Sequence, residues 1–268
     1  MTGWPGIALA GLAATTALAF ATWLASLARR DVSLVDRMWP VFIAAAGTAY
    51  ASLLPASTWR AAGMLALVLA WAIRLSLYIT ARNWGHGEDR RYQAIRARNE
   101  PGFALKSLYL VFGLQALLAW IVSAPLLAGM AGTSPIGLLD IAGFALAAAG
   151  LVFEAVADAQ MARFKADPAH RGQVMDRGLW ATTRHPNYFG EACVWWGLWL
   201  MALSAGGLGA AWSIVSPLLM TLLLLKVSGV RLLEQDIAER RPAYRDYIAR
   251  TPAFVPFWPR PGTSTHGQ

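Results

Sequence analysis

Residues 178–191 read Gly178-Leu-Trp-Ala-Thr-Thr-Arg-His-Pro-Asn-Tyr-Phe-Gly-Glu191, which sets an arginine, a histidine, an amide, a phenol and a carboxylate between two strongly apolar stretches. Arg184 and His185 offer positive charge to an anion, Asn187 both donates and accepts, and the Glu191 carboxylate accepts from hydroxyls or amides. Asn187 and Glu191 are four residues apart, and Tyr188, Glu191 and Trp195 follow at spacings of three and four, so on a helix they share a face. Just upstream come Asp158, Arg163, Lys165, Arg171, Asp176 and Arg177. Cations that meet phosphates, beside acids and amides that meet sugar hydroxyls, suit a nucleotide. An interfacial network with a purely structural role is the competing reading. No GxGxxG and no βαβ periodicity accompanies the cluster, so a nucleotide here is held by helices and membrane-proximal loops rather than by a Rossmann sheet.

Three further polar groups interrupt the apolar chain. Trp71, Arg74, Tyr78 and Arg82 follow at i, i+3, i+7 and i+11 and line one helical face. An arginine near the middle of an apolar span is costly unless it meets a partner or a hydrated cavity. This face therefore points into the bundle, either as a cavity wall with Tyr78 as a donor or as a buried ion pair that fixes packing. Asp36 and Arg37 precede Trp39-Pro40, where a proline suits the first turn of a helix and an acid suits its N-terminal end. Asp36 is then a helix-start residue or an acid at the mouth of the same cavity. Asn83-Trp-Gly-His-Gly-Glu-Asp-Arg-Arg-Tyr92 supplies glycines that let a backbone approach a phosphate or ribose, with Arg90 and Arg91 as counter-charge, unless the loop is simply solvated.

The elements that must position these groups are membrane helices. The chain is 57% hydrophobic, with a mean hydropathy of +0.44 and 13 tryptophans, which excludes an ordinary soluble enzyme. Apolar runs near bilayer-spanning length recur at 4–28, 39–55, 61–81, 108–131, 135–157, 189–206 and 209–225. The first lacks a basic leader and is followed by Arg29 and Arg30, so it reads as a retained span rather than a secretory signal. The predicted fold is an all-α polytopic membrane protein with seven transmembrane helices, one for each of these runs. With the N-terminus outside, the loops 29–38, 82–107 and 158–188 and the tail from Lys226 fall on the cytoplasmic side. They hold 21 of the 23 basic residues, Arg60 and Arg74 being the exceptions. The C-terminus and the working chemistry are thus expected at the cytoplasmic face. Residues 1–260 read as one integral-membrane domain and 261–268 as a disordered tail.

The formal charge of +8 fits this topology and an attraction to anionic lipid, so membrane lipids are expected partners. Neither zinc-finger spacing nor an RNP-like segment occurs, so nucleic acid is not. Cys193 is the single cysteine, which excludes an intrachain disulfide and a cysteine metal cluster. The histidines are scattered and His86-Gly-Glu88 lacks further ligands, so no metal site is expected.

The segment Gly178-Leu-Trp … Arg184-His-Pro-Asn187-Tyr188-Phe-Gly190-Glu191, followed by Trp195-Trp196-Gly197, resembles the C-terminal signature of the steroid 5-alpha-reductase family, in the bacterial branch labelled DUF1295. Glu234 … Arg241-Pro-Ala-Tyr244-Arg-Asp-Tyr247 … Phe254-Val-Pro256-Phe is similar to that family's closing segment. Asp36 … Trp39-Pro40 and residues 82–92 fit as well, so the resemblance covers residues 30–258. It implies a membrane reductase, expected in a bacterial inner membrane, that binds NADPH from the cytoplasmic side. Such an enzyme delivers hydride to a polarised carbon–carbon double bond of a lipophilic small molecule.

By motif match, the resemblance assigns Asn187, Tyr188 and Glu191 to the nicotinamide ribose or the pyrophosphate. Arg184, His185, Asp158, Arg163, Arg177, Arg82, Arg90 and Arg91 are the remaining cofactor-binding candidates, with Glu234 and Tyr244 closing over from the tail. Trp39, Trp71 and Arg74 are expected to wall the substrate cavity. The steroid reductases bracket the substrate carbonyl with a Gln-Glu pair before the second helix and a tyrosine in the next helix. The corresponding region here holds Asp36-Arg37 and Tyr78. Tyr78 is thus the expected proton donor, and Asp36 orients it or donates in its place. The departure from Gln-Glu leaves the substrate open among steroids, polyprenoids and unsaturated fatty acyl groups.

Isoprenylcysteine carboxyl methyltransferases and phospholipid methyltransferases also carry Arg-His-Pro-x-Tyr-x-Gly, and they use S-adenosylmethionine. That is the competing activity, with a non-enzymatic lipid-binding protein as a third reading. Asn187 together with Glu191 completes the Asn-Tyr-x-Gly-Glu form of the reductases, and the long N-terminal half with its own polar stripe also favours reduction.

Overall fold

A computed structural model describes residues 3–54, 58–227, 230, 234 and 244–257, and among these every regular element is helical. Helix α1, Trp4–Arg29, starts on a proline, whose missing N–H costs nothing in a first turn. It ends where Arg30 turns left-handed (φ 51) and the Asp31 N–H reaches back to the Ser26 carbonyl. Helix α2 is Leu34–Leu53. Pro40 was expected in its first turn but lies inside it, because the helix begins earlier, at a start where the Asp31 carboxylate accepts the Ser33 N–H at 2.9 Å. A proline there withholds a donor from the Asp36 carbonyl and loosens the ladder beside it. Ser76, on the next helix, donates to the adjoining Arg37 carbonyl at 2.7 Å.

Helix α3, Trp59–Arg82, is capped by the Thr58 hydroxyl, and α4, Arg90–Asn99, by the Asp89 carboxylate. The run α5, Phe103–Met130, carries a π turn over Leu108–Gly113 and breaks at Ser123, after which Pro125 restarts it. Helix α6 spans Leu138–Ala166 and α7 spans Pro186–Gly206. A 3-10 stretch, Gly207–Ile214, leads to α8, Val215–Leu222, and α9 is Tyr244–Arg250.

Among the described residues, five helical runs are long and apolar enough to cross a membrane: Trp4–Arg29, Trp59–Arg82, Phe103–Met130, Leu138–Ala166 and Pro186–Lys226. Of the expected span 39–55, residues 39–53 are helical within α2 and 55 lies outside the described residues; α2 is not among the five. The expected spans 189–206 and 209–225 both lie in the single run of 41 residues. That run is twice the length a bilayer needs, and it is not one straight rod. Gly207 takes φ 55, which ends α7. Before this glycine, Ala202 lies against Gly129 and Ala205 against Gly132; after it, Ala210 joins the buried cluster of Ala128 and Ala202, and Ser216 donates to the Val122 carbonyl at 2.6 Å. The chain therefore travels one way along α5 before Gly207 and the opposite way after it.

The chain divides into two compact units, one of Met1–Ala148 with Val194–Met220 and one of Ala149–Cys193 with Thr221–Gln268. The core of the first is apolar and aromatic, with Phe42, Met64, Trp71, Phe112 and Trp195 fully buried, and Trp71 edge-on to Trp195 at 5.3 Å. Glycines set its closest approaches. Gly11 receives the Tyr50 ring, and a Cβ on Gly143 would sit 2.6 Å from the Gly197 carbonyl, so α6 and α7 pack through small residues. Arg60 and Asp140 form a buried two-pronged ion pair at 2.5 and 2.9 Å. The carbonyls of Ser134 and Pro135 and the Ser204 hydroxyl saturate that pair. The outward faces of this unit carry Ile73, Leu77, Leu105 and Ile141, the apolar exterior that lipid covers in an integral membrane protein.

Candidate functional site

The 178–191 motif lies in the second unit, and its geometry starts from a glycine. Gly178 is left-handed (φ 59) and lies against Gln160 of α6, where a Cβ would come within 2.7 Å of the amide. The Gln160 Oε1 accepts the Leu179 N–H at 3.0 Å, and the Trp180 indole donates to the Ala157 carbonyl at 3.0 Å. With the loop pinned this way, Thr183 reaches the start of α7. Its hydroxyl accepts the His185 N–H at 3.4 Å and donates to the Phe254 carbonyl at 2.9 Å.

Arg184, buried, ties this turn to the C-terminal segment. Its guanidinium donates to Glu234 through Nε at 2.7 Å and Nη2 at 2.9 Å, and its third nitrogen donates to the carbonyls of Ile248 and Thr251. Its backbone N–H donates to the Pro252 carbonyl at 2.9 Å, and Phe257 returns a bond to the Thr182 carbonyl at 2.9 Å. His185 Nε2 lies 3.0 Å from Glu234 Oε1, and its ring stacks on Tyr188 at 5.4 Å. Tyr247 closes the underside by donating to the Trp180 carbonyl. Burial works to raise the Glu234 carboxyl, but the bonds from His185 and Arg184 outweigh it and hold the group down at about 2. The same carboxylate holds the Arg184 guanidinium above its ordinary range. Burial, with the nearby Glu234 charge adding to it, pushes the Tyr244 phenol up to about 12.

One turn along, α7 meets α6 through Gly190, where a Cβ would lie 2.6 Å from the Gly150 carbonyl and 2.7 Å from the Glu154 nitrogen. This approach buries Glu154, Asp158 and Glu191. Asn187 donates to Asp158 at 3.2 Å, while its own carbonyl oxygen is buried and has no hydrogen-bond partner among the described residues. A buried acceptor held in place on one side and unsatisfied on the other is costly, and it calls for a ligand donor. Arg163 and Arg177 are exposed on the loop side of the same unit.

The first unit holds a second polar centre. Tyr92 donates to one oxygen of Asp36 at 2.6 Å, and Arg91 donates to the other at 2.8 Å while also gripping Asp89 at 2.9 Å. Burial raises the Asp36 carboxyl against the pull of Arg91 and Tyr92, and the combined burial and charge of Asp36 push the Tyr92 phenol far up. Beside them, Glu88 takes Arg96 at 2.8 Å and the Val32 N–H at 2.9 Å. Tyr78 and Arg74 are half-buried on α3, with the Arg82 guanidinium 5.8 Å from the Tyr78 ring centre. Trp39 and Trp71 keep buried indole N–H groups without an acceptor among the described residues.

A family model described as "Protein of unknown function (DUF1295)" matches residues 22–251, most of the chain. The chain belongs to the DUF1295 family. Neither the curated proteins nor the solved structures contain a match.

Within this DUF1295 chain, the structure joins several of the residues expected to act together: Arg184, His185 and Glu234 in one network, Tyr188 stacked on it, and Asn187 with Asp158. It leaves Arg82, Arg90, Arg163 and Arg177 exposed. Arg91, expected at a phosphate, is engaged by Asp36 and Asp89. Sequence reasoning did not single out Tyr92 as the partner of Asp36, Thr183 as the link between the His185 N–H and the Phe254 carbonyl, or Gln160 as the support of Gly178. The contacts of all three with distant parts of the chain, 56, 71 and 19 residues away, carried no local signal.

Proposed function

We propose that this chain is an integral-membrane reductase related to the steroid 5-alpha-reductases, taking NADPH and reducing an activated carbon–carbon double bond of a lipophilic substrate. The observation that carries this reading is the Asn187 amide at the opening of α7. It is fixed by Asp158 and presents a buried carbonyl with no partner among the described residues, an acceptor suited to the amide or ribose hydroxyl of a nicotinamide nucleotide. Arg163 and Arg177 are exposed cations of the same unit that suit its phosphates. Arg184, His185 and Glu234 satisfy one another and act as positioning residues: they hold the C-terminal segment against the turn that carries Asn187.

When bound, NADPH supplies the hydride, and the substrate double bond gains that hydride and one proton. Tyr78 is the proposed proton donor, with Trp39, Trp71 and Arg74 as cavity wall. Asp36, engaged by Arg91 and Tyr92, shapes the loop end of the same unit. The two directions of travel on either side of Gly207, together with the helix over 39–53, support seven spans. The concentration of basic residues in alternate loops supports a cytoplasmic site in a bacterial inner membrane.

The test is thermal unfolding of the detergent-purified protein with NADPH, NADH, S-adenosylmethionine or no ligand. A ligand that binds the native state raises the midpoint by mass action, by about 2.7 kcal/mol at a hundredfold excess over its Kd. Stabilisation by NADPH that Asn187→Asp abolishes is the expected result. Stabilisation by S-adenosylmethionine alone assigns the motif to methyl transfer and overturns the proposal.

A further inference from the structure

The first unit carries a concentration of charge that goes well beyond Asp36 and Arg91, the two charged groups of its loops that the proposed function employs. Residues 29–37 and 82–106 hold nine cations and five carboxylates. Hydrogen bonds join these segments into one face: the Val32 N–H meets Glu88 at 2.9 Å, Glu88 meets Arg96 at 2.8 Å, and Arg91 meets Asp36 at 2.8 Å. The acids are consumed internally. Asp31 lies 3.7 Å from Arg37, Asp36 and Asp89 share Arg91, Glu88 holds Arg96, and Glu100 faces the Phe103 N–H at 3.4 Å. Arg29, Arg30, Arg90 and Arg98 are left exposed, with no ion-pair partner among the described residues.

These four cations also sit at a defined depth. Arg29 ends α1 and Arg30 follows it, while Arg90 and Arg98 lie on the short polar helix that follows the end of α3 at Arg82. Both α1 and α3 are membrane-length helices, so their ends mark the headgroup level. Between Arg82 and Arg90 stands Trp84, 74% exposed, an aromatic of the kind that settles at a membrane–water interface. We infer that the face built from Arg29, Arg30, Arg90 and Arg98 binds the phosphate headgroups of anionic phospholipids in the surrounding leaflet. Charge supplies the attraction, the internal ion pairs keep the arginines free for it, and Trp84 sets the depth.

Native mass spectrometry of the full chain in detergent, titrated with phosphatidylglycerol or phosphatidylcholine, tests this. Phosphatidylglycerol is expected to bind preferentially, and each of Arg29→Gln, Arg30→Gln, Arg90→Gln and Arg98→Gln is expected to weaken it about fivefold. The same positions changed to lysine should retain binding, and unchanged thermal midpoints in phosphatidylcholine micelles show that the variants fold. Equal binding of the two lipids, or glutamine variants that bind phosphatidylglycerol within twofold of the parent, would overturn the inference. Displacement of the lipid by millimolar inorganic phosphate or by a short DNA duplex would do the same, by showing that the face selects free anions or nucleic acid rather than a leaflet.

Discussion

Glu234→Gln isolates the network on which the second unit closes. The side chains of Arg184 and Glu234 are only 9% and 16% exposed, so their two-pronged bond is made largely out of water. Removing one member of such a pair leaves a buried charge uncompensated and costs about 3–5 kcal/mol. A second route gives a similar figure. The Glu234 carboxyl is held at about 2 against an ordinary 4.5, which corresponds to about 3 kcal/mol of preference for its charged form in the fold. Glutamine keeps one acceptor for Arg184, which places the expected loss at the lower end, about 2–3 kcal/mol. Because Arg184 also holds the carbonyls of Ile248, Thr251 and Pro252, the loss falls on the segment 244–257. Limited proteolysis at neutral pH should cut there on the order of a hundred times faster. A double-mutant cycle with Arg184→Met should return a coupling of about 2 kcal/mol. Additive single variants, or unchanged protection of 244–257, would refute the claim that this ion pair holds the C-terminal segment in place.

The same carboxylate sets a pH dependence. Its value is depressed in the fold, so its contribution is complete above about 4.5 and is lost as pH falls toward about 2. Protection of 244–257 should decline through that acid window in the parent and stay flat in Glu234→Gln. Gly190→Ala places a Cβ 2.6 Å from the Gly150 carbonyl; the helices must part, and thermal unfolding should show a loss of about 1–3 kcal/mol together with weaker nucleotide stabilisation. Arg60→Met strands Asp140 in a buried site and should cost about 3–5 kcal/mol, whereas Arg60→Met with Asp140→Leu should recover most of that. Tyr78→Phe should lower turnover with little change in nucleotide affinity, and unchanged turnover removes Tyr78 as the proton donor.

The helices of this chain were legible in its sequence because the signals are local. A run of twenty apolar residues has little choice but to satisfy its own backbone as a helix in lipid, and Thr58, Asp89 and Pro186 sit at helix starts that a linear reading can find. The polar residue types and spacings of 184–191 were equally visible, and they put Asn187 near Glu191 and Tyr188 near Glu191 on a helix. Partner choice was not. Arg184 meets Glu234 fifty residues away, and Asp36 meets Tyr92 and Arg91 from the next polar helix, although Tyr78 was the group it was expected to orient. Several acids and cations can pair at comparable Coulomb energy, and only the packing of α2 against α3 and of α6 against α7 selects among them. The glycine approaches at Gly143 and Gly190 fix α6 and α7 in register, and with it the burial of Glu154, Asp158 and Glu191.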